Sequence, residues 1–174
     1  MGPFLRCSKM AVREIMINVF LVVTFSGALG LLFSVLFAFF IVVSNSFFKY
    51  GTFRLFNELM VLGFGVLGWY FFPNGFFQIL YFLLLSIFYQ LYRIVREIYS
   101  IDVRFRILVL ALGKDRFEYA IFSLKRVRKR IIGTFFKLLT ILIASYSISQ
   151  SLQALIVGVI SLIVGVVLII LKLD

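Results

Sequence analysis

The sequence contains no histidine, a single cysteine and few charged residues. Without histidine, the chain can supply no imidazole ligand to haem, zinc or copper and no histidine general base. Cys7 alone cannot form an intramolecular disulfide or hold a metal cluster. The seven acidic residues are scattered, and none lies inside a long apolar run. We therefore expect no enzymatic activity and no cofactor.

Charged residues make up 14% of the chain, whereas soluble domains carry roughly a quarter. Hydrophobic residues account for 63%, which predicts an all-α polytopic integral membrane protein with a single membrane domain over 1–174. Three uncharged runs of 34 residues each cover 15–48, 59–92 and 138–171. A helix of that length would measure about 50 Å, against a hydrocarbon core of about 30 Å. Each run is longer than one span needs.

The second run carries a turn signal in its middle, Pro73-Asn74-Gly75. Proline lacks an N–H, and asparagine and glycine tolerate the left-handed region. Trp69 and Tyr70 precede the triplet, as is typical of a membrane–water interface. The pattern predicts a helical hairpin over 56–94 that turns at Pro73–Gly75; the alternative is one long kinked helix.

The third run predicts a second hairpin over 128–171, turning in the polar stretch Ser145–Ser149. After this turn, small residues recur every three or four positions and share one helix face, where another backbone can approach closely. They are Ser151, Ala154, Gly158, Ser161 and Gly165. The pattern does not distinguish a partner helix in the same chain from one in another subunit.

The first run predicts one tilted span over 17–43, although Ser26–Gly30 could turn a hairpin instead. The total is about five membrane segments, within a range of four to six. Gly63–Gly68 matches G-x-G-x-x-G, but the match lies inside an apolar segment rather than after a strand, so it indicates helix packing.

The segment 93–137 holds twelve of the eighteen basic residues and has a net charge of +8. The positive-inside rule places it on the cytoplasmic or matrix-like side of a prokaryotic plasma membrane or an organellar membrane. Within its part 95–127, the pattern after Gly113 predicts an interfacial amphipathic helix that turns into the next span near 128. Its bases would contact anionic phospholipid or a partner; they are Lys125, Arg126, Arg128, Lys129 and Arg130. The alternative is a loop that only sets topology, and neither reading implies a nucleic-acid partner.

Three functions fit this pattern. The first is a non-catalytic subunit or assembly scaffold that packs against other membrane subunits, or against further copies of itself, through phenylalanine-rich and small-residue faces. The second is membrane shaping, because the layout of short hairpins with charge on one side resembles that of reticulon-type proteins. The third is a holin-like pore or small channel lined by Gln78, Ser86 and Gln90, whose simpler interpretation is a packing seam.

Overall fold

The structure is a computed structural model that describes residues 3–44, 56–72, 75–100, 111, 113 and 115–171, with side chains from Glu14 onward. Its described helices confirm the all-α class. They are α1 (Pro3–Ser44), α2 (Glu58–Phe71), α3 (Phe76–Tyr99), α4 (Arg116–Ser149) and α5 (Ala154–Ile170). Three of them are long and apolar enough to cross a membrane: α1 over Glu14–Ser44, α3 and α4.

The first two runs fold in different ways. In the first run, α1 passes through Ser26–Gly30 as one continuous helix rather than a hairpin. In the second, the chain reverses between α2 and α3, where Gly75 has a φ of 149°, a conformation that L side chains rarely adopt. Pro73 and Asn74 of the expected turn lie outside the described residues.

In the third run, the helix reverses later than the polar stretch suggests, since α4 continues to Ser149 and α5 begins at Ala154. The serines of this stretch satisfy their hydroxyls inside the helix. Ser145 donates to the Leu142 carbonyl at 2.7 Å, and Ser149 donates to the Tyr146 carbonyl at 2.7 Å. Back-bonding of this kind lets serine remain in a helix, so the polar stretch does not end α4.

Helix α4 is also continuous at its other end, where we expected an interfacial helix that changes direction near 128. Val127 and Ile131 are buried in the same cluster as Tyr119 and Ala120, so one apolar stripe extends from the basic segment into the span. No glycine interrupts α4 before Gly133, so the helix continues through residue 128 with this stripe on one face. Lys114 and the connector 101–110 lie outside the described residues.

The helices do not pair simply with their neighbours in sequence. Helix α5 packs chiefly on α2, while α1 packs on α3 and α4. Helix α4 contacts all four other described helices, whereas α2 contacts three of them, α3, α4 and α5. The chain reverses between Phe72 and Gly75 and again between Gln150 and Gln153. Both reversals lie at the same end of the helices, which we call the turn end. The opposite end, where Glu58, Arg93 and Lys137 meet, is called the charged end.

Candidate functional site

The charged end is tied together by one carboxylate from α2. Glu58 pairs with Arg93 of α3 and, at 2.5 Å, with the Lys137 ammonium of α4. Glu58 opens α2, where the helix dipole favours a negative charge. The Arg93 guanidinium also lies 5.8 Å from the centre of the Tyr89 ring, within cation–π range. One acid shared by two bases leaves this cluster with a net positive charge.

A second ion pair joins α3 and α4 beyond this cluster, where Arg130 contacts Glu97 at 2.6 Å. All five basic residues singled out in the sequence are exposed on α4: Lys125, Arg126, Arg128, Lys129 and Arg130. The opposite face of the helix carries Tyr119, Ser123 and Val127, which are buried. The structure therefore presents the bases outward, in a position from which they can contact anionic headgroups.

Asn57 is a structural residue that our sequence reading missed. Its side-chain oxygen accepts a hydrogen bond from the Met60 N–H at 2.9 Å, and its amide donates to the Gly165 carbonyl at 3.0 Å. The first contact caps α2 and the second joins α2 to α5. Asparagine before the glutamate that opens an apolar run is a recognisable N-cap signal. Its partner 108 residues later is set by tertiary packing and leaves no local pattern.

The small-residue stripe of α5 packs inside this chain. Ala154, Gly158 and Gly165 are buried and Ser161 is half-buried, whereas Ser151 is exposed beyond the helix. A Cβ added at Gly158 would lie 3.1 Å from Leu67, and one at Gly165 would lie 2.7 Å from Met60. Both contacts are with α2, so the stripe provides the close approach of α5 to α2.

The three glycines of the G-x-G-x-x-G match face three different helices. A Cβ at Gly63 would meet the Gly158 carbonyl of α5, one at Gly65 would meet Ser145 of α4, and one at Gly68 would meet Tyr81 of α3. The motif thus allows α3, α4 and α5 to approach α2 closely. This is a packing role, with no nucleotide-binding geometry around it.

Two of the three residues considered for a polar lining lie together in a seam between α1 and α3. Gln90 donates to the Gly27 carbonyl at 3.0 Å and to the Ser86 hydroxyl at 2.9 Å, and both side chains are 0% exposed. Gln78 is separate from them, since it donates to the Phe72 carbonyl at 3.3 Å at the turn end. In the single chain, Ser86 and Gln90 face α1 rather than an open channel.

The C-terminal end of helix α1 reaches past the charged cluster, towards the start of α4. Gly27 packs against Phe135 and Leu139, on either side of Lys137. The rings of Phe39 and Phe117 are 5.1 Å apart, so twelve residues later α1 has reached the first turn of α4. From Gly27 to Phe39 the helix rises about 18 Å. We call 31–44 the outer segment of α1.

The outer segment exposes large apolar side chains beside the basic part of α4. They are Leu32, Phe33, Leu36, Phe37 and Phe40, and the most exposed are Leu32 at 59% and Phe40 at 58%. Hydrocarbon covers about 20 residues of a helix, while the apolar part of α1 over Glu14–Ser44 has 31. This apolar part is therefore longer than a helix perpendicular to the bilayer needs.

Among the described residues, no group of three histidine, cysteine, aspartate or glutamate side chains is arranged to hold a metal ion. No family model, curated protein or solved structure matches this chain.

Proposed function

We propose that this protein is a non-catalytic integral membrane subunit or assembly scaffold, whose outer segment of α1 packs against another membrane protein. The observation that supports the proposal is the apolar surface of this segment at the charged end. Phe37 and Phe40 lie one helical turn apart and are both exposed, while Phe39 beside them contacts Phe117 in α4.

Lipid chains alone do not account for this surface. Ser34 still lies level with Ile87 of α3, six residues before Arg93, whereas Phe39 has reached Phe117 of α4. If the charged cluster at Glu58, Arg93 and Lys137 lies at the headgroups, the end of the outer segment, from about Phe39, therefore projects beyond them into water. Exposed apolar patches rimmed by polar residues are typical of interaction sites. The exposed bases of α4 provide such a rim and suit an acidic partner surface or anionic phospholipid. The positive-inside rule would place this end on the cytoplasmic or matrix-like side.

The proposal is tested by extracting the full chain from its native membrane in a mild detergent and measuring the mass of the species that contains it. We expect a defined complex much larger than the 20.1 kDa chain. The double variant Phe37→Ala/Phe40→Ala should release the chain as a small species. The matched control is Phe20→Ala/Phe25→Ala, which alters two similarly exposed phenylalanines of the same helix, before the outer segment begins. Migration of the wild-type chain as a lone small species would contradict the proposal.

A second candidate function, membrane shaping, is favoured by the shortness of two helices. Helix α2 has 14 residues and α5 has 17, or about 21 and 26 Å, against a hydrocarbon core of about 30 Å. A helix shorter than the hydrocarbon core is accommodated by local thinning of the bilayer. Reconstitution at high protein density should then tubulate or shrink liposomes, and unchanged vesicles would reject this function. We do not extend the proposal to a pore, because Ser86 and Gln90 face α1.

A further inference from the structure

A pocket of about 670 Å³ lies at the turn end, between the first half of the described α1, the end of α2, the start of α3 and the end of α4. Its size is within the range of about 300 to 1,000 Å³ that is usual for ligand sites. The residues that matter most are Asn18, Val22, Trp69, Gln78, Tyr146 and Gln150. The charged cluster of the other end contributes nothing to this lining.

Two of the polar lining groups are held in place by the fold. The Trp69 indole donates to the Leu142 carbonyl at 3.3 Å, and its ring lies edge-on to Tyr146 at 5.1 Å. The Gln78 amide donates to the Phe72 carbonyl at 3.3 Å and is 2% exposed. These two side chains are therefore in position before a ligand enters, which lowers the entropic cost of binding.

The lining determines the charge of the occupant. The described lining residues include three carboxamides, from Asn18, Gln78 and Gln150. No residue of the described lining is charged at neutral pH. Glu14 precedes the lining residue Ile15 but is itself exposed and outside the lining. No described lining residue offers a charge that would pair with an anion or a cation, so this lining suits an uncharged head group. Carboxamides both donate and accept hydrogen bonds, so they suit hydroxyl and ester groups.

The position of the pocket favours a lipid. Trp69, Tyr70 and Tyr146 surround it, and tryptophan and tyrosine are enriched where the hydrocarbon core meets the headgroups. At that depth, a molecule can place its polar head against the carboxamides and its chain against the apolar walls. We propose that this pocket binds an uncharged lipid with a hydroxyl or ester head, of the diacylglycerol type. The proposal is independent of the function proposed above.

Trp69 is the chain's single tryptophan, and it provides the assay. The full chain is reconstituted in phosphatidylcholine nanodiscs and titrated with a diacylglycerol that carries brominated acyl chains, which quench tryptophan fluorescence on contact. A parallel titration uses phosphatidylglycerol with the same brominated chains. We expect quenching by the diacylglycerol to saturate at a low mole fraction and to be reversed by unbrominated diacylglycerol. Quenching by the anionic lipid should only follow its mole fraction in the bilayer.

The double variant Asn18→Leu/Gln150→Leu should raise the half-saturating mole fraction by about tenfold, since each hydrogen bond to a ligand typically contributes roughly two- to tenfold in affinity. Both residues are exposed, so the fold should tolerate the change. The matched control, Gln153→Leu, alters an exposed glutamine of the same end that is not part of the lining and should leave half-saturation unchanged. Linear, identical quenching by both lipids, saturable binding of the anionic lipid alone, or no effect of the double variant would overturn the proposal.

Discussion

Replacement of Gly63 by alanine tests the close contact between helices α2 and α5. A Cβ at this position would lie 2.9 Å from the Gly158 carbonyl oxygen and 2.9 Å from the Leu162 side chain. Carbon atoms do not approach this closely without displacement, and a backbone carbonyl cannot rotate away as a side chain can. Helix α5 must therefore shift outward, away from the Asn57 amide that binds Gly165.

The matched control is Gly133→Ala in α4, where an added Cβ would meet nothing within 4 Å. Both substitutions gain helix propensity of about 1 kcal/mol. Only Gly63→Ala adds an overpacking cost, typically about 1 to 3 kcal/mol. The propensity terms cancel in the comparison, so Gly63→Ala should be less stable than Gly133→Ala by about 1 to 3 kcal/mol.

The assay is unfolding of the full chain in mixed micelles, by titration with a denaturing detergent while helix content is followed by circular dichroism. The free energies of unfolding of the two variants are compared directly. If they agree within about 0.5 kcal/mol, α2 and α5 are not in the contact described, and the packing role of the small-residue stripe is refuted.

The same unfolding assay tests two other contacts. Glu58→Gln leaves Arg93 and Lys137 without their shared carboxylate and should lower the free energy of unfolding by about 1 to 2 kcal/mol. The control Glu14→Gln, at an exposed position, should change this free energy by less than about 0.5 kcal/mol. Asn57→Ala loses both the cap of α2 and the hydrogen bond to Gly165, which should lower the free energy of unfolding by about 2 kcal/mol. Asn57→Ser keeps a capping oxygen, so its free energy of unfolding should lie between those of wild type and Asn57→Ala. Equal losses for the two variants would contradict the double role of Asn57. Native mass spectrometry of the triple variant Lys125→Gln/Arg128→Gln/Lys129→Gln should show fewer phosphatidylglycerol molecules retained per chain than wild type. The reason is that each base near an anionic surface contributes about 1 kcal/mol of attraction. Equal retention by the two proteins would show that these bases have no role in lipid binding.

Local chemistry explains which parts of the fold could be predicted from the sequence. The all-α class follows from uncharged apolar runs long enough to span a membrane, where a helix satisfies its own backbone groups. The reversal near Gly75 follows from a turn triplet that few helices accommodate. The serines of 145–149 suggested an earlier turn than the structure has, because a serine hydroxyl can either compete with the helix or bond back to it. Sequence alone does not settle that choice.

The partners of each helix face were beyond prediction. The stripe at Ala154, Gly158 and Gly165 predicts close approach by another helix, but its identity as α2 depends on how two hairpins interleave. The same limit applies to Ser86 and Gln90, where the sequence allowed a seam or a lining and the structure places them against Gly27 of α1. The pocket around Trp69 combines residues from four helices, and no run of sequence brings them together.

The most direct test of the proposed scaffold role is photo-cross-linking in intact native membranes. A photoreactive phenylalanine analogue is placed at Phe37, in the exposed outer segment of α1, and at Phe20 as the matched position on the same helix. We predict a discrete protein adduct from position 37 and lipid adducts alone from position 20. Lipid adducts alone from both positions would contradict the account.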